Sequence, residues 1–173
     1  LKNCTNLETV SVSGDRLSKL KLKGAKNLEK LKVSGRSLKS LDLKTNTQLK
    51  ELRLGWGTNT SSLDLSKNKK LTFLWCYRTE LVSLDLSKNT NLTKVDCHSN
   101  PKLEKLNVKG CRKLKSLHVN NTKLKKLNVK NNVNLRKLRC KNTDLTKLNL
   151  SNTKIRKPSA LQCDPDVTVT YAK

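Results

Sequence analysis

Asp96, Ser116 and His118 are the residues whose types first suggest chemistry, because aspartate, serine and histidine together form the hydrolase triad. In the strand pattern derived below, Asp96 and His118 should lie on adjacent strands about 4.8 Å apart, with Ser116 on the same face. The chain has no nucleophile elbow and no glycine-rich oxyanion loop, and an open sheet encloses no pocket. We therefore predict that the protein is not an enzyme and has no catalytic residues.

The six cysteines offer a second kind of chemistry. Cys76, Cys97 and Cys140 stand where the repeat has core leucines, so we expect small buried side chains with inert thiols. Cys76 and Cys97 lie on adjacent strands, where parallel side chains have poor disulfide geometry, and the sequence leaves open whether they are bonded. Zinc binding is disfavoured because Cys97 should point inward and His98 outward.

Three aspartates, Asp42, Asp64 and Asp85, stack at one outward position of the second side of the fold, and asparagines continue the column. A column of carboxylates could suggest a metal, but Lys, Ser and Thr surround it and no ligand-rich loop is present. We therefore predict no metal site and no cofactor.

Aromatic residues are concentrated in one place. Phe73, Trp75 and Tyr77 alternate along one strand and should all face outward, and Trp56 lies in the loop of the preceding coil. Exposed tyrosine and tryptophan typically anchor binding sites. The alternative is that lysine and arginine side chains cover the rings. The predicted ligand-binding residues are Trp56, Phe73, Trp75, Tyr77, His98, His118, Arg53 and Arg139.

The elements that position these residues follow from an internal repeat. The unit LxxLxL, with Val and Cys variants, recurs fourteen times at spacings of ten or eleven residues, from Leu7 to Leu145. Two unlike half-units make one coil, which gives seven coils of 21–22 residues, within the leucine-rich-repeat range. The alternating LxL of each half-unit predicts a strand with one buried face. The predicted fold class is mostly β: a leucine-rich-repeat solenoid with parallel strands on both long sides and few or no helices.

A polar column precedes the first half-unit of each coil. We expect it to face inward and to bond backbone groups at the turn, which asparagine does well and cysteine weakly. Its members are Cys4, Ala25, Asn46, Asn68, Asn89, Cys111 and Asn132.

The charge is extreme, with 38 Lys and Arg against 13 Asp and Glu and a formal net charge of +25. On the coil grid this charge is spread over both sides of the fold. Sequence-specific nucleic-acid proteins instead concentrate charge on one face around a reading element, so we predict no specific nucleic-acid partner. A positive coat would still attract polyanions in a salt-dependent way. No apolar run is long enough to span a membrane, and we expect no membrane insertion and a monomer.

Two segments resemble a known family, LTFLWCYRTELVSLDLSKNTNLTKVDCHSN and LRKLRCKNTDLTKLNLSNT. They resemble the cysteine-ladder leucine-rich repeats of internalin J and related surface proteins of Gram-positive bacteria. The resemblance covers about residues 1–155, and the tail from Leu161 to Thr170 looks like the segment that closes such arrays. It departs from the family pattern in that cysteine occupies only three of the seven predicted rungs.

The resemblance implies an extracellular or cell-surface location and a role in adhesion or ligand binding. We expect a solenoid over residues 1–154 and a C-terminal cap over 155–173, as a fragment of a longer protein. The expected partner is a protein or glycan. Two alternatives stay open: generic binding of polyanions such as teichoic acid, glycosaminoglycan or nucleic acid, and a structural spacer.

Overall fold

The first long side of the molecule is one continuous sheet of eight parallel strands. The computed structural model describes residues 4–55, 58–156 and 158–171, and the chain winds through them as a solenoid. Neighbouring strands pair in register, Val10 with Leu31 and Leu31 with Leu52. Numbered along the whole chain, the strands of this first sheet are β1 (Thr9–Ser13), β2 (Lys30–Ser34), β3 (Glu51–Gly55), β4 (Phe73–Cys76), β6 (Lys94–Asp96), β8 (Ser116–His118), β9 (Lys137–Cys140) and β11 (Leu161–Cys163).

The second long side is less regular. It carries two separate parallel pairs, β5 (Ser83–Asp85) with β7 (Lys105–Asn107) and β10 (Lys147–Asn149) with β12 (Thr168–Thr170). Elsewhere in the described residues this side forms no paired strands. The first side therefore carries the longer run of paired strands.

The fold class predicted from the repeat is confirmed: the chain is a parallel β solenoid. Among the residues the structure describes, the helical content is one 3-10 turn, Pro158–Ala160. The coil count differs slightly from the predicted seven, because Leu161–Cys163 pairs with β9 and adds an eighth strand to the first sheet. The described part of the chain contains no helix long and apolar enough to cross a membrane.

Leucines at the repeat positions fill the interior. Leu49, Leu52 and Leu54 of one coil are fully buried, and the outward residues between them, such as Arg53, stay exposed. Burying each leucine stabilises the fold by about 1.5–3 kcal/mol. At the amino-terminal end Leu7 is only partly buried, because the first coil has a neighbour on one side only.

The inward polar column behaves as predicted. The Nδ2 group of Asn89, which is fully buried, donates to the carbonyl oxygens of Leu65 and Asn68 in the preceding coil, both at 3.0 Å. The same pair of bonds is made by Asn46, Asn68 and Asn132. The Cys111 thiol makes one contact of this kind, 3.3 Å from the carbonyl oxygen of Leu86. Asparagine therefore joins successive coils more strongly than cysteine does.

The outward aspartate and asparagine column of the second side has a structural role. Asp85 Oδ1 accepts a hydrogen bond of 2.8 Å from the backbone N–H of Ser87, two residues on. Such a bond closes a tight turn. The same contact recurs at Asp42, Asp64, Asn107, Asn128 and Asn149. The side chain thus closes the turn after the second-side segment in these six coils.

All six cysteines lie within the described residues, and none forms a disulfide. Cys76, Cys97 and Cys140 are fully buried, as predicted. The hydrogen bond with Cys76, together with burial, raises the pKa of Cys97 well above its usual value. Burial raises the pKa of Cys140 to about 12. The sequence did not indicate that Cys163 would also join this column, as the register partner of Cys140.

Candidate functional site

Strand β4 presents the aromatic residues on the outer face of the first sheet. Phe73 and Trp75 alternate with Leu74 and Cys76, which are fully buried, and Tyr77 directly follows the strand. The three rings are half-buried rather than fully exposed. Their outward direction follows from the two-residue period of a strand. What lies against each ring decides how much of it a ligand could reach.

Phe73 is covered by basic side chains. The Arg53 guanidinium carbon lies 4.8 Å from the centre of the ring, and the Lys94 ammonium lies 5.4 Å from it. Both distances are typical of cation–π contacts. Arg53 also pairs with the Glu51 carboxylate. The alternative interpretation, in which basic side chains cover the rings, therefore holds for this ring.

Trp75 lies over the backbone of the adjacent strand. A Cβ atom at Gly55 would come within 2.9 Å of ring atom Cζ3 of Trp75, so the ring occupies space that any other residue at position 55 would fill. On its other side Trp75 stacks with Tyr77, with ring centres 5.6 Å apart and planes inclined by 18°. The absence of a side chain at Gly55 thus lets the indole pack against the backbone of β3, and this packing restricts the orientation of the ring.

The stack continues across the next two strands. Tyr77 lies 4.5 Å from the ring of His98, and His98 lies 4.4 Å from the ring of His118 with their planes only 6° apart. The Arg78 guanidinium lies 5.1 Å from the centre of the Tyr77 ring. Four rings therefore form one continuous row across three strands. We call Trp75, Tyr77, His98 and His118 the ring row.

Asp96 holds the two histidines of the ring row. Its Oδ1 lies 2.6 Å from His98 Nδ1, and its Oδ2 lies 3.2 Å from His118 Nδ1. Only 14% of the Asp96 side chain is exposed to solvent. Burial tends to raise the pKa of Asp96, but the hydrogen bonds from His118 and His98 outweigh this effect, and the net result is a pKa below its usual value. The carboxylate is therefore held in its charged form between two imidazoles.

The triad suggested by the sequence does not assemble in the described residues. Asp96 and His118 are register partners on adjacent strands, as expected. However, Nδ1 of His98 contacts the same carboxylate, and no hydrogen bond joins Ser116 to His118 in the described part of the chain.

Six of the eight predicted site residues form one contiguous surface: Arg53, Phe73, Trp75, Tyr77, His98 and His118. Arg139 adjoins it as the register partner of His118. Trp56 lies outside the described residues. Two contacts were not predictable from the repeat: the packing of Trp75 on Gly55 and the link of Asp96 to both histidines, although the column positions place Asp96 beside His118.

The second side of the solenoid is basic. A shallow depression between β10 and the preceding coil is lined by Lys125, Lys126, Lys130 and Lys147. Its floor contains apolar atoms of Leu127 and Leu148, which are less than 10% exposed.

The continuous parallel sheet, the leucine core and the asparagine column define the class of the protein as a leucine-rich-repeat solenoid. A family model described as a leucine-rich repeat matches residues 141–160. No curated protein matches the sequence.

Two solved structures are similar over nearly the whole chain. The functional domain of InlJ from Listeria monocytogenes, which includes a cysteine ladder, is 27% identical with a TM-score of 0.63 and is matched over 96% of this chain and 40% of that one. A leucine-rich-repeat protein of Leptospira interrogans is 17% identical with a TM-score of 0.55, over 96% of this chain and 55% of that one. The second likeness concerns the fold alone. The chain thus spans about two fifths of the InlJ domain that it matches.

Proposed function

We propose that this chain is a non-enzymatic, extracellular binding module of a bacterial surface protein, which docks a protein or glycan ligand on the outer face of its first sheet. The observation that carries the proposal is the ring row, four rings in successive contact on a surface otherwise rich in lysine, serine and asparagine. The similarity to the functional domain of a Listeria protein supports the binding role. The resemblance to surface proteins of Gram-positive bacteria supports the extracellular location.

The ring row suits recognition because it is already ordered. Trp75 is seated on Gly55 and stacked with Tyr77, so a ligand would pay little side-chain entropy on binding. Tyrosine and tryptophan combine an apolar body with a polar tip, and they are the usual anchors of binding energy. Phe73, held between Arg53 and Lys94, would contribute at the rim rather than at the centre.

The test is alanine substitution at Trp75 and Tyr77, with Tyr171→Ala as the matched control. Tyr171 is 41% exposed and lies near the carboxyl end, so its removal deletes an aromatic ring outside the proposed surface. Binding is measured against immobilised extracellular-matrix proteins and a panel of glycans. For any ligand that the parent binds, each patch variant should weaken affinity by roughly 30-fold or more, as expected for a hot-spot residue.

Unchanged affinity of both patch variants, with circular dichroism matching the parent, would rule out the ring row as the binding surface. Equal losses in the Tyr171→Ala control would show that aromatic content rather than this surface governs binding.

A second candidate function is generic polyanion binding, which the lysine-lined depression of the second side favours. Heparin retention should fall steeply with salt, because each phosphate or sulfate contact releases a counterion. Replacing Lys125, Lys126 and Lys147 by glutamine should reduce the salt slope, whereas Trp75→Ala should leave it unchanged. Retention that hardly changes with salt would exclude this function.

A further inference from the structure

Three side chains that ligate metals meet on the outer face of the first sheet. One ligand atom from each of Asp96, His98 and His118 lies within 4.8 Å of the other two. It is the one such group of three among the residues that the structure describes. The register places Asp96 opposite His118 on the next strand, and the two-residue period brings His98 to the same face.

The donor chemistry selects a class of ion. Neutral imidazole nitrogen and carboxylate oxygen together suit zinc and similar divalent transition metals, whereas calcium and magnesium prefer oxygen alone. Two imidazoles and one carboxylate are a known type of three-ligand zinc site, which leaves a further position for water or another ligand.

The three ligand atoms lie near enough to share one ion once the side chains turn toward it. Bonds of about 2.0–2.1 Å in a tetrahedral arrangement place ligand atoms about 3.3 Å apart. The two Nδ1 atoms already lie 2.6 Å and 3.2 Å from the carboxylate oxygens of Asp96. Admitting the ion would lengthen the shorter contact by several tenths of an ångström and would turn the two imidazole rings, which are now 6° from parallel, until both Nδ1 lone pairs point at the ion.

The surroundings hold the ligands in place. The His98 ring lies between those of Tyr77 and His118, and the histidine side chains are only 25% and 17% exposed. These neighbours keep the three ligand side chains close together before an ion binds, so less side-chain freedom is lost on binding. One neighbour opposes a cation: Arg139 is the register partner of His118. Salt screens this repulsion only weakly, because neighbouring strands are closer together than the Debye length of about 8 Å.

We propose that Asp96, His98 and His118 form a binding site for one zinc-class divalent metal ion, with both Nδ1 atoms and the carboxylate as ligands. This goes beyond the proposed binding function and does not depend on it. It also departs from the sequence-based expectation of no metal, because that expectation paired His98 with the inward Cys97 rather than with Asp96.

The experiment is a titration with zinc chloride followed by NMR of the histidine rings. The chain contains only two histidines, so every ring signal belongs to the proposed site, and a tag-free protein keeps the spectrum clean. A Cys4→Ser/Cys163→Ser parent removes the two cysteines that are not fully buried. We expect both histidine spin systems to shift and to saturate together at one zinc ion per chain.

Ligand removal is tested with Asp96→Asn and His118→Gln against Asp85→Asn. Asp85→Asn also deletes one carboxylate, but its column already carries asparagine in other coils, where the turn forms equally well. By isothermal titration calorimetry the first two variants should bind zinc at least about 100-fold more weakly than the parent, and the control should bind as the parent does.

Three results would overturn the site: histidine signals that do not move, movement of one histidine alone, or equal zinc affinity in parent and Asp96→Asn. Cobalt titration adds a further check, since a sulfur-to-cobalt charge-transfer band would assign the metal to a cysteine. The parent titrations need no ligand variant, so they decide the question even if Asp96→Asn fails to fold.

Discussion

The indole of Trp75 lies on the backbone of Gly55, close enough that a Cβ atom at position 55 would be 2.9 Å from ring atom Cζ3. This contact joins the aromatic strand β4 to its neighbour β3 on the outer face of the sheet. It also makes the orientation of the ring row depend on a residue that carries no side chain.

Gly55→Ala should therefore displace the Trp75 ring and destabilise the protein by about 1–3 kcal/mol, the usual cost of inserting a methyl group into a packed contact. The measurement is urea unfolding together with Trp75 fluorescence in a Trp56→Phe background. Gly14→Ala is the matched control, because a Cβ atom at Gly14 would meet nothing within 4 Å. Equal stability and emission in the two variants would contradict the contact.

Asn89→Ala should cost about 2–4 kcal/mol of unfolding free energy. The substitution removes two buried hydrogen bonds and leaves the carbonyl oxygens of Leu65 and Asn68 without those donors. Asn89→Cys should cost less, because Cys111 makes one such contact at the same position of the next coil. Urea unfolding measures both. If the cysteine variant were the less stable of the two, the column would not act through its hydrogen bonds.

The contribution of Asp96 to the free energy of unfolding should depend on pH. Since the pKa of its carboxyl is lowered in the folded protein, the stabilisation is fully present above the unfolded pKa of about 3.9 and is lost as pH falls through the folded value. The difference in unfolding free energy between the parent and Asp96→Asn should accordingly be constant near pH 5 and shrink below about pH 4. A difference that grows as pH falls in this window would refute the hydrogen-bonded carboxylate.

The thiols should divide into two reactivity groups. Cys4 and Cys163 are partly exposed, whereas Cys76, Cys97, Cys111 and Cys140 are buried. Burial raises the pKa of both Cys111 and Cys140 to about 12, which leaves little thiolate for reaction at neutral pH. Maleimide labelling followed by peptide mass spectrometry should modify Cys4 and Cys163 in native protein and the other four only in urea. Rapid native labelling of Cys97 would contradict the packing.

Much of the fold follows from local rules that act within one coil. The LxxLxL period selects which face of each strand is buried, so it predicts the leucine core, the outward direction of Phe73, Trp75 and Tyr77, and the inward asparagine column. The predicted number of coils differs slightly from the observed number, because the last strand of the first sheet, Leu161–Cys163, does not follow the LxxLxL pattern.

The site depended more on contacts between coils. The strand register brings Asp96 beside His118, and the column positions in the repeat predict this neighbour. The same carboxylate also contacts His98, but this contact depends on side-chain rotation, which the hydrophobic repeat does not predict. The covering of Phe73 by Arg53 and Lys94 and the stacking of Trp75 with Tyr77 likewise depend on which neighbour turns toward which ring.

The sequence by itself determined the solenoid, the composition of each face and the concentration of aromatic residues on one strand, because hydrophobic period and residue type act locally along the chain. The tertiary structure alone decided that Gly55 seats Trp75, that four rings form one row, and that Asp96 joins two histidines. The physical reason is that these contacts depend on the rotation of side chains against one another, mostly between neighbouring coils, where packing rather than local propensity sets the minimum of free energy.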